Sequence, residues 1–123
     1  MGLRNADFLF HGPLMSKARP RSTRLGGRPY MPATYVNWKA NLRGQMGEWW
    51  TLPPLPTVNA LILTFYGPAR GDLDNLAGAV LDSGNALIWA DDRVNCIKCI
   101  AARWKKAKVA DSEIYMKIVW DCE

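Results

Sequence analysis

Four aspartates carry the chemistry this sequence could do. Asp72 and Asp74 stand two apart and Asp91 and Asp92 are adjacent, all within 21 residues. In an extended segment, positions i and i+2 project to one side, so Asp72 and Asp74 would present two carboxylates together. Such a pair repels itself unless a cation sits between, and a bound divalent ion keeps both groups ionised. Magnesium prefers oxygen ligands and usually takes one or two carboxylates with waters and phosphate oxygens. A further carboxylate from Asp91 or Asp92 would complete a set suited to phosphodiester hydrolysis, in which metal ions activate water and stabilise the leaving oxygen. Each group also has a plainer use. Asp72 or Asp74 alone would cap a helix and favour its dipole, and Asp91-Asp92 alone would make a solvated turn.

The charge distribution favours the metal site. The formal net charge is +5, and no Asp or Glu occurs from Phe8 to Gly47. That stretch carries Lys17, Arg19, Arg21, Arg24, Arg28, Lys39 and Arg43, while five aspartates lie downstream between Asp72 and Asp92. A basic arm beside an acidic cluster suits a polyanionic partner, the arm holding phosphates and the acids holding cations. Lys17, Arg19, Arg21, Arg24 and Arg28 are the candidate backbone contacts, with Arg70, Lys105 and Lys106 as further ones. A solvated basic loop is the alternative.

Other functions fit less well. Three cysteines, an odd count with no signal peptide, argue against a secreted disulfide scaffold and for a cytoplasmic protein. Cys96 and Cys99 have CxxC spacing, but in a strand they would point to opposite faces. No run of 18 apolar residues is present, so no membrane span is expected. Dehalogenase-type phosphatases also use Asp-x-Asp, but directly after an apolar strand, and here Gly67 to Gly71 intervenes. An EF-hand loop would need an oxygen ligand and then Gly where Leu76 and Ala77 stand.

The elements that must position these groups are legible. With 123 residues, 49% of them apolar, the chain fits one domain spanning 1–123. Phe8 to Phe10 begins a short strand that runs toward Met15, and the Gly- and Pro-rich Ser16–Pro32 segment is a loop. Tyr35, Trp38, Leu42, Met46 and Trp49 form an apolar helical stripe after Pro32, which Pro53, Pro54 and Pro56 end. Thr57–Tyr66 is a strand. Leu76, Ala77, Val80 and Leu81 give a second helix starting near Asp74 and broken at Gly84-Asn85. Val94–Lys105 and Glu113–Asp121 are expected as paired strands joined by a hairpin loop. The fold class is α+β, a mixed or antiparallel sheet of four to five strands with two main helices.

The segments Arg70-Gly71-Asp72-Leu73-Asp74-Asn75-Leu76-Ala77, Ala79-Val80-Leu81-Asp82 and Ile88-Trp89-Ala90-Asp91-Asp92-Arg93-Val94 resemble the RusA family of Holliday junction resolvases. Arg19-Pro20-Arg21 and Tyr30-Met31-Pro32 resemble its N-terminal half. The resemblance implies a homodimeric endonuclease that uses Mg²⁺, or Mn²⁺ as substitute, to resolve four-way DNA junctions. It maps Asp72, Asp74 and Asp92 onto the essential carboxylates, with Asp91 as the alternative ligand. One departure stands out. Where the family motif continues with a lysine, this chain has Gly78. Arg70, Lys98, Lys105 or a basic residue of a second subunit could replace that cation. Otherwise the chain would bind branched DNA with weak or no cleavage. A nuclease acting on flaps or forks is a further alternative.

Overall fold

A computed structural model describes residues 2–20, 29–69 and 71–122. The element order is β1 (Gly2–His11), α1 (Ala33–Trp49), β2 (Ala60–Gly67), α2 (Leu73–Gly84), β3 (Ile100–Lys106) and β4 (Glu113–Cys122), with a short 3₁₀ turn at Val109–Asp111. The four strands form one mixed sheet in the order β1-β4-β2-β3. β2 and β3 are parallel and joined through α2, while β4 is antiparallel to both β1 and β2. The α+β class and the two main helices agree with the sequence-based expectation.

Alternation builds the core. Ile114, Met116, Ile118 and Trp120 of β4 bury one face beside Leu61, Leu63 and Phe65 of β2 and Phe8 and Phe10 of β1. Against that face α1 lays Tyr35, Trp38, Leu42 and Met46, four residues of the expected stripe, while Trp49, its fifth, is only partly buried and packs on Phe8. Pro32 occupies the N-cap position of α1, and its carbonyl accepts the Val36 N–H. Trp38 is a core residue, and its indole N–H donates to the Pro13 carbonyl.

Three expectations are corrected. β1 begins at Gly2 rather than Phe8 and stops at His11, because all ten of its residues pair along β4 and Gly12-Pro13 breaks the ladder. The third expected strand starts only at Ile100, since Arg93 to Ile97 folds into a turn in which the Arg93 carbonyl accepts the N–H groups of Cys96 and Ile97. β3 and β4 do not form a hairpin. β3 stays parallel to β2, with Ala107 N–H donating to the Gly67 carbonyl, and β4 enters the slot between β1 and β2. There its apolar face is covered on both flanks, which an edge position beyond β3 would not provide.

The two helices are clamped through Asp82. The Tyr35 hydroxyl donates to its Oδ2 at 2.8 Å, and Lys39 Nζ lies 3.2 Å from the same oxygen. Burial works against ionising Asp82, but the hydrogen bonds from Tyr35 and Lys39 and the charges of Lys39 and Lys17 outweigh it and hold the carboxyl below its usual range. Burial first, then the Asp82 bond and charge, push the Tyr35 phenol well up. The Asp82 contribution to stability is therefore present above about pH 4 and lost as pH falls through its folded value. The Tyr35 contribution is present below about pH 10 and lost as pH rises beyond it. Tyr35→Phe should cost about 1 kcal/mol at neutral pH. It should also shrink the decline in stability above pH 10, measurable by denaturant titration at the two pH values.

Candidate nucleic-acid-cleavage site

The path from β2 to α2 decides where the first two aspartates sit. Gly71 adopts φ +69°, a left-handed conformation that disfavours any side chain, and a Cβ there would also collide with Ser16 Oγ. That turn delivers Asp72 to the N-cap of α2 in an extended conformation, with its side chain making no capping hydrogen bond. Its carbonyl, not its carboxylate, receives the N–H groups of Asn75 and Leu76. Asp74 lies in the first helical turn, where Oδ1 accepts the Asn75 N–H at 3.0 Å. Both carboxylates are exposed at the positive end of the helix dipole. The extended geometry expected for the pair ends at Asp72.

The second pair is set by the other end of α2. A Cβ on Gly84 would run into the Trp89 indole, so the fully buried Trp89 sits directly against the helix end. Its Nε1 donates to the Leu81 carbonyl at 3.1 Å. Ala86, at φ 61°, takes the tight turn between them. Backbone bonds from Leu55 to Ile88 and from Ala90 to Leu55 then tie this loop to the segment preceding β2. Asp91 turns back on itself, with Oδ1 accepting the Asp92 N–H at 2.7 Å and Oδ2 lying 3.4 Å from Arg93 Nε. Asp92 is exposed and makes no side-chain hydrogen bond among the described residues.

The two pairs therefore lie at opposite ends of the β2–α2–β3 unit. Asp72 follows the end of β2, whereas Asp91 is tied to the stretch before its start. Twelve helical residues separate the ends, a length of roughly 18 Å. No group of three or more Asp, Glu, His or Cys among the described residues of the chain is placed to share an ion.

The basic residues are distributed unequally. Lys105 and Lys106 end β3 level with Tyr66 and Gly67, on the Asp72 side, and both are exposed. Lys17 N–H donates to the Asn75 carbonyl at 2.9 Å, which docks the start of the arm on the first turns of α2. Arg19 is exposed further along that arm. Arg21, Arg24, Arg28 and Arg70 fall outside the described residues. Gly78 has a specific neighbour: a Cβ there would meet the Lys17 stem, with Cδ at 3.3 Å. The close approach at this glycine is thus made by the chain's own lysine, whose charge acts on Asp82 further along the helix.

A family model described as endodeoxyribonuclease RusA matches residues 11–119. The chain belongs to the RusA family. That makes it a RusA-type endodeoxyribonuclease of the Holliday junction-resolving class. No curated protein matches it. The match covers the arm, both helices and all four aspartates. Cys96 is buried at the end of a turn and Cys99 is exposed, and Ile97 between them makes an isolated parallel bridge with Val58. No helix among the described residues is long and apolar enough to cross a membrane.

Sequence reasoning missed two features of this RusA chain. One is the positive φ of Gly71, whose only signal was a glycine next to Asp72. The other is an apolar groove of about 490 Å³ lined by Ala69, Gly71, Leu73, Ala102, Arg103 and Trp104. Its strand residues alternate visibly, but their exposure depends on where α2 lies. Gly71→Ala should destabilise the fold by about 1–2 kcal/mol through its left-handed φ. Gly78→Ala should change stability by less than about 1 kcal/mol, because the gain in helix propensity is offset by a contact that the flexible Lys17 stem can relieve. Paired denaturant melts check both.

Proposed function

We propose that this protein hydrolyses the phosphodiester backbone of four-way DNA junctions with a divalent cation, Mg²⁺ or Mn²⁺, held by Asp72 and Asp74, with Asp92 contributed by the second subunit of a homodimer. The carrying observation is that Asp72 and Asp74 are both exposed at the start of one helix and Asp72 is not spent on capping it. Their all-oxygen donor chemistry suits a hard cation that needs only one or two carboxylates, its other ligands being water and phosphate. Asp92 is favoured over Asp91 because Asp91 is engaged with its own turn and with Arg93. When bound, the ion would supply Lewis acidity at the scissile phosphate.

The chain's own groups bind and orient the DNA. Lys17 and Arg19 of the arm hold backbone phosphates, joined by Arg21, Arg24, Arg28 and Arg70, with Lys105 and Lys106 flanking Asp72. The net reaction adds water across one phosphodiester bond, breaking the bond to the 3′ oxygen. The protein acts as a homodimer, since two sites related by a two-fold axis can make paired cuts in a symmetric junction.

Gly78 favours a second reading, a branched-DNA binder with weak or no cleavage. The Lys17 stem crosses that position, while its charge acts on Asp82. One assay separates the two. Wild type with Mg²⁺ or Mn²⁺ should cut a synthetic four-way junction, and Asp74→Asn should lose cleavage by at least about 100-fold while still binding it. Equal activity of the two proteins would sink the assignment, and tight binding by wild type without products supports the binder. Flap and fork substrates in the same panel test the remaining alternative. Lys17→Ala and Arg19→Ala should each lower the slope of log affinity against log salt by about 1.

A further inference from the structure

Asp74, Gly78 and Asp82 stand four residues apart along α2, so they form three successive rungs on one face of the helix. The middle rung has no side chain of its own. Lys17 occupies it from outside: a Cβ at Gly78 would meet Lys17 Cδ at 3.3 Å and Lys17 Cβ at 3.5 Å. The lysine is held there by its backbone, whose N–H donates to the carbonyl of Asn75, the residue after Asp74. Lys17 thus lies on the helix face much as a side chain of α2 would, although it comes from the arm.

Its ammonium group stands between two carboxylates, each one rung away, or about 6 Å along the axis. Asp82 is already served, by the Tyr35 hydroxyl at 2.8 Å and by Lys39 Nζ at 3.2 Å. Of the effects that hold its carboxyl low, the charge of Lys17 ranks last and comes without a hydrogen bond. Asp74 has no ion pair among the described residues, and its Oδ1 accepts only the Asn75 N–H. Helical side chains lean toward the helix start, so Asp82 leans onto the middle rung and Asp74 away from it. That lean, rather than any need of Asp82, accounts for where the charge of Lys17 acts.

We propose that Lys17 is a catalytic residue: its ammonium turns from the Asp82 rung to the scissile phosphate at Asp74 and bears part of the negative charge that builds during cleavage. This rests on the nuclease reading above.

In the step itself, water adds to phosphorus as the bond to the 3′ oxygen breaks. The water gives up a proton and the 3′ oxygen gains one, leaving a 5′ phosphate and a 3′ hydroxyl. Lys17 transfers no proton. It donates an N–H to a non-bridging oxygen, where charge accumulates, and a donor already in place avoids reorganisation at the moment of reaction. Only Cε and Nζ need to swing, since backbone and stem stay on the helix. Lys105 and Lys106 lie at the same end of the fold but on the sheet, whereas Lys17 is docked on the helical turn that carries Asp74.

Two measurements on the full chain test this. The first is single-turnover cleavage of a synthetic four-way junction with Mg²⁺ at saturating protein. Lys17→Ala should lower that rate about 100-fold, a loss that added protein does not recover. Its thermal melting should stay close to wild type, because Asp82 keeps Tyr35 and Lys39. Adding Gly78→Lys to Lys17→Ala should restore most of the rate, since the new side chain starts from the same rung. The second measurement is the salt dependence of junction binding in EDTA, which needs no metal and no cleavage. Lys17→Ala should lower the slope by about 1, and Gly78→Lys should restore it in that background but add nothing to wild type, where the phosphate is already paired. A saturated rate in Lys17→Ala equal to that of an active wild type overturns the role of Lys17 and leaves the nuclease reading standing. A steeper slope for Gly78→Lys in wild type also overturns it, because the two ammonium groups would then reach different phosphates. Absence of cleavage by wild type overturns both readings.

Discussion

The crossover from β2 through α2 to β3 is the constraint on which the rest depends. Parallel neighbours need a long connection, and the helix supplying it must run back along the strands. Whatever follows β2 is therefore carried to one end of the unit, and whatever follows α2 to the other. The ends are fixed by different devices. Gly71 gives the left-handed turn that releases Asp72 from the sheet, and Gly84 makes room for the Trp89 indole that seals the helix exit. Exposed aspartates beyond two such rigid points cannot drift toward each other without undoing the core.

That separation gives the two ends different characters. At the Asp72 end, the helix dipole, the end of β3 with Lys105 and Lys106, and the arm anchored through Lys17 all converge. An anion approaching there meets cations and helix N–H groups together with two carboxylates, an arrangement that suits a phosphate arriving with a cation. At the Asp91 end, the backbone is pinned to the Leu55 segment, and Arg93 partly neutralises Asp91. Lys17 links arm, helix and clamp. Its backbone holds the arm to α2, its stem fills the space that Gly78 leaves, and its charge reaches Asp82, where Tyr35 and Lys39 bind α1.

Local patterns were readable from sequence, and long-range ones were not. The stripe from Tyr35 to Met46 and the alternation of Ile114, Met116, Ile118 and Trp120 follow from period alone and are buried as expected. The partner of each strand is not a local property. β3 and β4 look like a hairpin because a short polar segment joins them, but the slot between β1 and β2 offers β4 cover on both flanks. The four aspartates were legible as types and spacing, and the Asp-x-Asp-Asn-Leu segment marked the family. Their distribution over two ends was not, because adjacency in sequence across α2 hides a helix length in space.

The divided acids set what each end of α2 can do. Asp72 and Asp74 are exposed at the start of the helix, where two carboxylates meet the positive end of its dipole. Asp91 and Asp92 lie about a helix length away, roughly 18 Å, so among the described residues no three acids of the chain close on one ion. Magnesium tolerates this division, because it needs only one or two protein carboxylates and takes its remaining ligands from water and phosphate. The first end also has the cations a phosphate needs, Lys105 and Lys106 at the end of β3 and the arm docked through Lys17, whereas the second has Arg93 already engaged with Asp91. Charge and carboxylates therefore coincide at the start of α2, and that is where the chain is best prepared to receive a phosphate together with its cation.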